Sequence, residues 1–279
     1  MIKIPDKDQI DNLIRVSLNE DVGIGDITTR AILSPEVVYT AEIVTKENII
    51  LCGLEIIKLV FLKLDPDVCF IDGILNDGDE VKKNTKIIGI RAKGIALLEG
   101  ERTALNILQR LSGIASLTKR YVDEVNPIKI LDTRKTTPGF RLFEKYAVNC
   151  GGGENHRFGL YDAILIKDNH IKASGGIIQA VQKVKKSINT EMQIEIETST
   201  LDDVREAVEV KIDTIMLDNM PIEMIKEAIG IIDGRFLIEV SGSISFDQLS
   251  ELSKLGIDYI SVGALTHSSN ASDISMNFL

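Results

Sequence analysis

From residue 128 onward the chain repeats one unit: a short apolar run that ends on a polar residue or glycine, a polar turn, then a segment of helical period. The runs are IKILDTR, DAILIKD, MQIEIET, TIMLDN, FLIEVSG and YISVG. The segments between them carry helix signals. SFDQLSELSKLG has Ser245 with Gln248 three residues on, a capping box, and ends at Gly256; PIEMIKEAIGII has Pro221 in its first turn; TLDDVREAVEV starts on Thr200. Strands that alternate with helices of this length form parallel β-α units, as an open doubly wound sheet or as a barrel. Side-chain phase favours the barrel. Alternate residues of a strand share a face, so Glu195 and Glu197, Asp218, Glu239 and Ser241 fall on one side with Arg134, Lys167 and Gly263, while residues such as Ile196, Leu217 and Val240 fill the other. A doubly wound sheet is apolar on both faces, whereas a barrel can turn polar inside at the C-terminal ends of its strands, where barrel enzymes keep their chemistry.

Residues 1 to about 110 lack this rhythm. TAEIVTKENIILCG reads as strand, GLEIIKLVFLKL as helix, and CFIDGILNDGDEVKKNTKIIGIRAKG as short strands joined at turns such as Asn76-Asp77-Gly78. A separate α/β domain over 1–110 is the simplest account, with a barrel domain over 111–267 and a tail, 268–279, that packs back on the first domain. The stretch from Leu97 to about Val122 has a helical apolar stripe that links the two, and Gly100 and Gly113 are candidate breaks in it.

Charge narrows the function. The chain has 32 basic and 42 acidic residues, a formal net charge of −10, which argues against a general nucleic-acid or membrane-surface binder. The most apolar stretch, IIKLVFLKL, is short and broken by lysine, and the N-terminal residues form no apolar leader. Cys52, Cys69 and Cys150 are odd in number and show no Cys-x-x-Cys spacing, which fits free thiols in a reducing compartment and a cytoplasmic address.

Against this acidic background, cations gather in two stretches. LDTRKTTPGFR supplies Arg134 and Lys135, and GGGENHRFGLYDAILIKDNH supplies His156, Arg157 and Lys167. Arginine presents a planar fork of donors that matches a carboxylate, so several cations in one mouth suit a small, multiply charged acid. The glycine-containing turns SGS, at Ser241, Gly242 and Ser243, and VGAL, with Gly263 and Ala264, follow late barrel strands, where phosphates bind. Glu197 and Asp218 beside such a site suit Mg²⁺ or a positively charged transition state. Blander readings compete: Lys167 with Glu197 as a plain buried ion pair, GGGENHR as a surface loop, and Cys150 as a small packing residue. A Schiff-base lysine at Lys167 and a non-catalytic anion binder are further alternatives. The second of these leaves Glu197 and Asp218 unexplained.

The stretch DTRKTTPGFRLFEKYAVNCGGGENHRFGLYDAILIKDNHI resembles the signature of the quinolinate phosphoribosyltransferases, and the resemblance extends through EDVGIGDITT, ERTALNILQRLSGIA, EIETS, MLDN, EVSGSI and SVGALTHS. It implies an α/β chain of the type II phosphoribosyltransferase fold, an N-terminal α/β sandwich domain plus an incomplete parallel α/β barrel, working as a homodimer. Implied substrates are quinolinate and phosphoribosyl pyrophosphate with Mg²⁺, and implied products are nicotinate mononucleotide, pyrophosphate and CO₂, a step of NAD biosynthesis. By the same resemblance, Arg134, His156, Arg157 and Lys167 line the quinolinate pocket, with Lys135 by the pyrophosphate. Arg102 enters the partner's site. Glu197 and Asp218 face the ribose hydroxyls and the metal, and Ser241, Gly242, Ser243, Gly263 and Ala264 cradle the 5′-phosphate. The family usually has glycine where this chain has Ser243.

Overall fold

The structure, a computed structural model, describes residues 4–71, 73–188 and 192–279. The chain divides into two compact units. One comprises Met1–Lys119, Thr137–Gly152 and Leu265–Leu279, and the other Arg120–Thr136 and Gly153–Ala264.

The first unit contains an antiparallel sheet in the order Ile274–Phe278, Val38–Thr45, Lys86–Lys93, Cys69–Ile71, so the C-terminal strand pairs with one from the front of the chain. The Leu54–Leu64 helix buries Leu54, Ile56, Ile57, Val60 and Phe61. Its N-terminus is capped from a distance: Gly53 and Leu54 donate their backbone N–H groups to the Asp77 carboxylate, each at 2.9 Å, and Tyr146 Oη donates to the same carboxylate at 2.6 Å. Cys52 and Cys150 are buried beside Asp77, and burial pushes the Cys52 thiol well above its usual range. That environment suits inert packing thiols.

The apolar stripe begins a helix that runs unbroken over Gly94–Val125, so the expected interruptions do not occur. The glycines serve close approach instead. A Cβ on Gly113 would lie 2.0 Å from the Asn270 carbonyl oxygen, and one on Gly100 would lie 2.9 Å from the Phe61 ring.

All six runs of the repeated unit are strands of one parallel sheet in the second unit. Its order is Lys129–Leu131, Tyr259–Ser261, Leu237–Ser241, Thr214–Asp218, Ile194–Thr198, Ile164–Ile166. The first and last of these strands do not pair with each other among the described residues. A single parallel bridge, Leu131 with Glu154, lies on that side. Helix starts agree with the sequence signals: Thr200 caps Leu201–Ala207 in a capping box with Asp203, and Pro221 immediately precedes Ile222–Ile232. The Ser245 and Gln248 box is present, but it opens a 3₁₀ turn, Phe246–Gln248, and then a short helix, Leu249–Leu252, that ends before Gly256. No helix among the described residues is long and apolar enough to cross a membrane.

Candidate active site

At the C-terminal ends of these strands lies a cavity of about 440 Å³. Each strand or the turn after it contributes to the lining. The Lys129–Leu131 strand leads to Thr133, Arg134 and Lys135; the loop before Ile164–Ile166 brings His156 and Arg157, and Lys167 comes directly after that strand. Glu197, Asp218, Glu239 and Ser241 lie on the next three strands, with Gly242 and Ser243 just beyond, and Ser261 on the last. The period of two explains the selection: Met216 lines the cavity in phase with Asp218, whereas Ile215 and Leu217 are fully buried on the other face.

Cations dominate one side. Burial and the neighbouring Arg134 charge both lower the Arg157 pKa, so the two guanidiniums repel each other across this wall. Arg134 Nε is buried without a hydrogen-bond partner among the described residues. A buried donor left unpaired is costly, and a ligand anion is the natural acceptor. Lys167 makes an ion pair with Glu197, whose side chain is 13% exposed.

Carboxyls occupy the floor. Glu239 is 2% exposed; its Oε1 accepts from Ser261 Oγ, and its carboxyl and that of Glu195 share the Nε2 edge of His156. Burial first, and the Glu195 charge second, push Glu239 up to about 8, so it keeps its proton at neutral pH. His156 Nε2 lies 3.0 Å from Glu195 Oε2.

The turn after Leu237–Ser241 is fixed by Asn219. Its Oδ1 accepts from the Ser243 N–H at 3.2 Å, its Nδ2 donates to Asp218 Oδ2 at 2.7 Å, and its own N–H donates to the Ser241 carbonyl at 3.0 Å. Gly242 has φ +123°, and a Cβ there would lie 2.5 Å from Asn219 Oδ1, so only glycine fits.

Of the residues expected in one site, eleven line the cavity: Arg134, Lys135, His156, Arg157 and Lys167; Glu197 and Asp218; Ser241, Gly242 and Ser243; and, from the phase argument, Glu239. Gly263 and Ala264 come after the Tyr259–Ser261 strand and do not line it; Arg102 belongs to the other unit, where its guanidinium donates to Glu101 at 2.7 Å. Sequence reasoning gave no role to Thr133, Leu165, Met216, Asn219 and Ser261. Strand phase could have found Leu165, Met216 and Ser261, but it does not reach Asn219.

Family models match both parts of the chain: "Quinolinate phosphoribosyl transferase, N-terminal domain" over residues 26–112 and "Quinolinate phosphoribosyl transferase, C-terminal domain" over residues 114–277. A Bacillus subtilis protein named probable nicotinate-nucleotide pyrophosphorylase [carboxylating] is 44% identical over 274 residues, covering 96% of this chain and 93% of that one. The chloroplastic Arabidopsis thaliana nicotinate-nucleotide pyrophosphorylase [carboxylating] is 41% identical over 283 residues, covering 95% and 81%. Among solved structures, NadC from Streptococcus pyogenes superposes with a TM-score of 0.95 at 41% identity, covering 99% of each chain. The strand phase, the cation wall and these matches agree, and the chain belongs to the quinolinate phosphoribosyltransferase family.

Proposed function

We propose that the protein is a pentosyltransferase that moves the phosphoribosyl group of phosphoribosyl pyrophosphate onto quinolinate, with loss of CO₂, to give nicotinate mononucleotide and pyrophosphate. The observation that carries this reading is the guanidinium pair Arg134 and Arg157 on one wall of the cavity, with the buried Arg134 Nε unpartnered, in a chain of net charge −10. Two guanidiniums side by side suit a pyridine dicarboxylate, because its charges relieve their repulsion and its oxygens complete their hydrogen bonds.

Arg134, His156, Arg157 and Lys167 line the pocket for the dicarboxylate, and Lys135 faces the pyrophosphate. The Ser241-Gly242-Ser243 turn, with Gly263 and Ala264 beyond it, receives the 5′-phosphate. As pyrophosphate leaves, positive charge grows at the ribose C1, and the carboxylates of Glu197 and Asp218 stabilise it while facing the ribose hydroxyls. The ring nitrogen then bonds to C1. The positive ring nitrogen stabilises the electron pair that stays on C2 when CO₂ departs, and a proton taken up there completes the product. Glu197 and Asp218 are hard oxygen donors on the same cavity, few enough to leave most of a coordination shell to phosphate and water, which fits Mg²⁺. When bound there, the ion neutralises pyrophosphate charge.

The chain works as a homodimer in which Arg102 enters the partner's site; its exposed guanidinium, 56% accessible, supports that reading. Three free thiols support a cytoplasmic setting. The deciding experiment incubates pure protein with Mg²⁺ and phosphoribosyl pyrophosphate plus either quinolinate or nicotinate. CO₂ and nicotinate mononucleotide in equal amounts from quinolinate alone are expected, and a folded protein that makes neither would sink the assignment.

A further inference from the structure

The floor of the cavity carries a hydrogen-bonded chain with His156 at its centre, and the transfer chemistry gives its two glutamates, Glu195 and Glu239, no role. The His156 backbone N–H donates to Asp132 Oδ1 at 2.9 Å, and Asp132 is fully buried. The next backbone N–H, that of Arg157, donates to His156 Nδ1 at 2.7 Å. A ring nitrogen that accepts carries no proton, so the proton of the neutral ring is on Nε2. Nε2 lies 3.0 Å from Glu195 Oε2 and 3.7 Å from Glu239 Oε2. The two glutamates come from the strands on either side of Thr214–Asp218, so both converge on one imidazole edge. Burying a carboxyl pair costs stability that apolar side chains of similar size would not, and packing alone gives no reason for it.

We propose that Glu239 and Glu195 are positioning residues for the dicarboxylate site: they hold His156 as its Nε2–H tautomer, and Nδ1 of that ring fixes the Arg157 backbone and so the place of its guanidinium. This rests on the quinolinate reading of the cavity. Both ring nitrogens of His156 then have partners in the protein, while the ring itself lines the cavity. Among the described residues the Arg157 guanidinium makes one hydrogen bond of its own, from Nη1 to the Ala163 carbonyl at 3.4 Å, which is too long to hold it alone.

The first test does not depend on turnover. Nitrogen NMR of the full chain labelled at histidine has three residues to resolve, and a His156→Asn spectrum assigns the one that matters. A protonated Nε2 with a bare Nδ1 at neutral pH is expected; a proton on Nδ1, or on both nitrogens, overturns the proposal. The second test is kinetic. Glu239→Ala should raise KM for quinolinate by roughly 10- to 100-fold, the scale of a misplaced binding group, and leave KM for phosphoribosyl pyrophosphate within about twofold. Glu239→Gln, which keeps polar partners for Ser261 and His156, should recover most of the loss. An equal rise in both KM values, or a loss confined to kcat, overturns the positioning role. If the wild type turns over no quinolinate, the assigned reaction fails while the tautomer measurement still decides the His156 geometry.

Discussion

Single side chains account for much of the site. Arg134→Ala removes charge-assisted hydrogen bonds to the substrate, and kcat/KM for quinolinate should fall by about 10- to 150-fold, or roughly 1.5 to 3 kcal/mol. Glu239 gives a pH signature in stability. Its pKa is raised from 4.5 to about 8 in the folded chain, so between those values the unfolded chain is ionised while the native carboxyl keeps its proton. Unfolding then releases a proton, and stability falls as pH rises from about 4.5 to about 8. Thermal melts of Glu239→Gln across that range should therefore decline less than those of the wild type, and parallel curves would show that Glu239 is not the buried acid. Most of this chemistry was legible in the sequence, because phase along a strand sets the neighbours of residues such as Glu197 and Asp218. Asn219 was not. Its role depends on a backbone turn at φ +54° that brings its amide under Gly242 from a separate strand, a long-range contact with no local signature.

Secondary-structure elements were readable where their signals are local and misread where glycine has a tertiary purpose. All six strands and the capped helix starts can be derived from periodicity and cap chemistry. The long Gly94–Val125 helix is the instructive error, since helix propensity makes glycine a natural break. Gly113 remains helical because the Asn270 backbone lies against it, and this contact spans more than 150 residues of sequence. Alanine in a helix interior is ordinarily worth up to about 1 kcal/mol over glycine. Here a Cβ 2.0 Å from a carbonyl oxygen forces the backbone apart, so Gly113→Ala should destabilise, by about 1 to 3 kcal/mol in urea denaturation. A stabilised variant would mean that the two segments are not in contact.

For the whole molecule, the shared-site reading makes a prediction that no single chain can satisfy. Inactive Arg102→Ala and inactive Glu197→Ala protomers, unfolded together and refolded as mixed dimers, should recover part of the wild-type activity, because one of the two sites in each mixed dimer keeps both residues. Verified mixed dimers without activity would argue against a contribution from the partner.

The clustering of four cations at one mouth of an acidic chain has a kinetic consequence. A chain of net charge −10 repels a polyanion at long range, and Arg134, Lys135, Arg157 and Lys167 attract it only close to the cavity. Dissolved ions screen both effects, but the distant repulsion disappears first, since the screening length shrinks from about 30 Å to about 10 Å as salt rises from about 0.01 to 0.1 M. Capture of phosphoribosyl pyrophosphate, read as kcat/KM, should therefore hold steady or rise over that interval and decline only at higher salt. A steep fall from the outset would mean that the attraction of the mouth reaches well into solution.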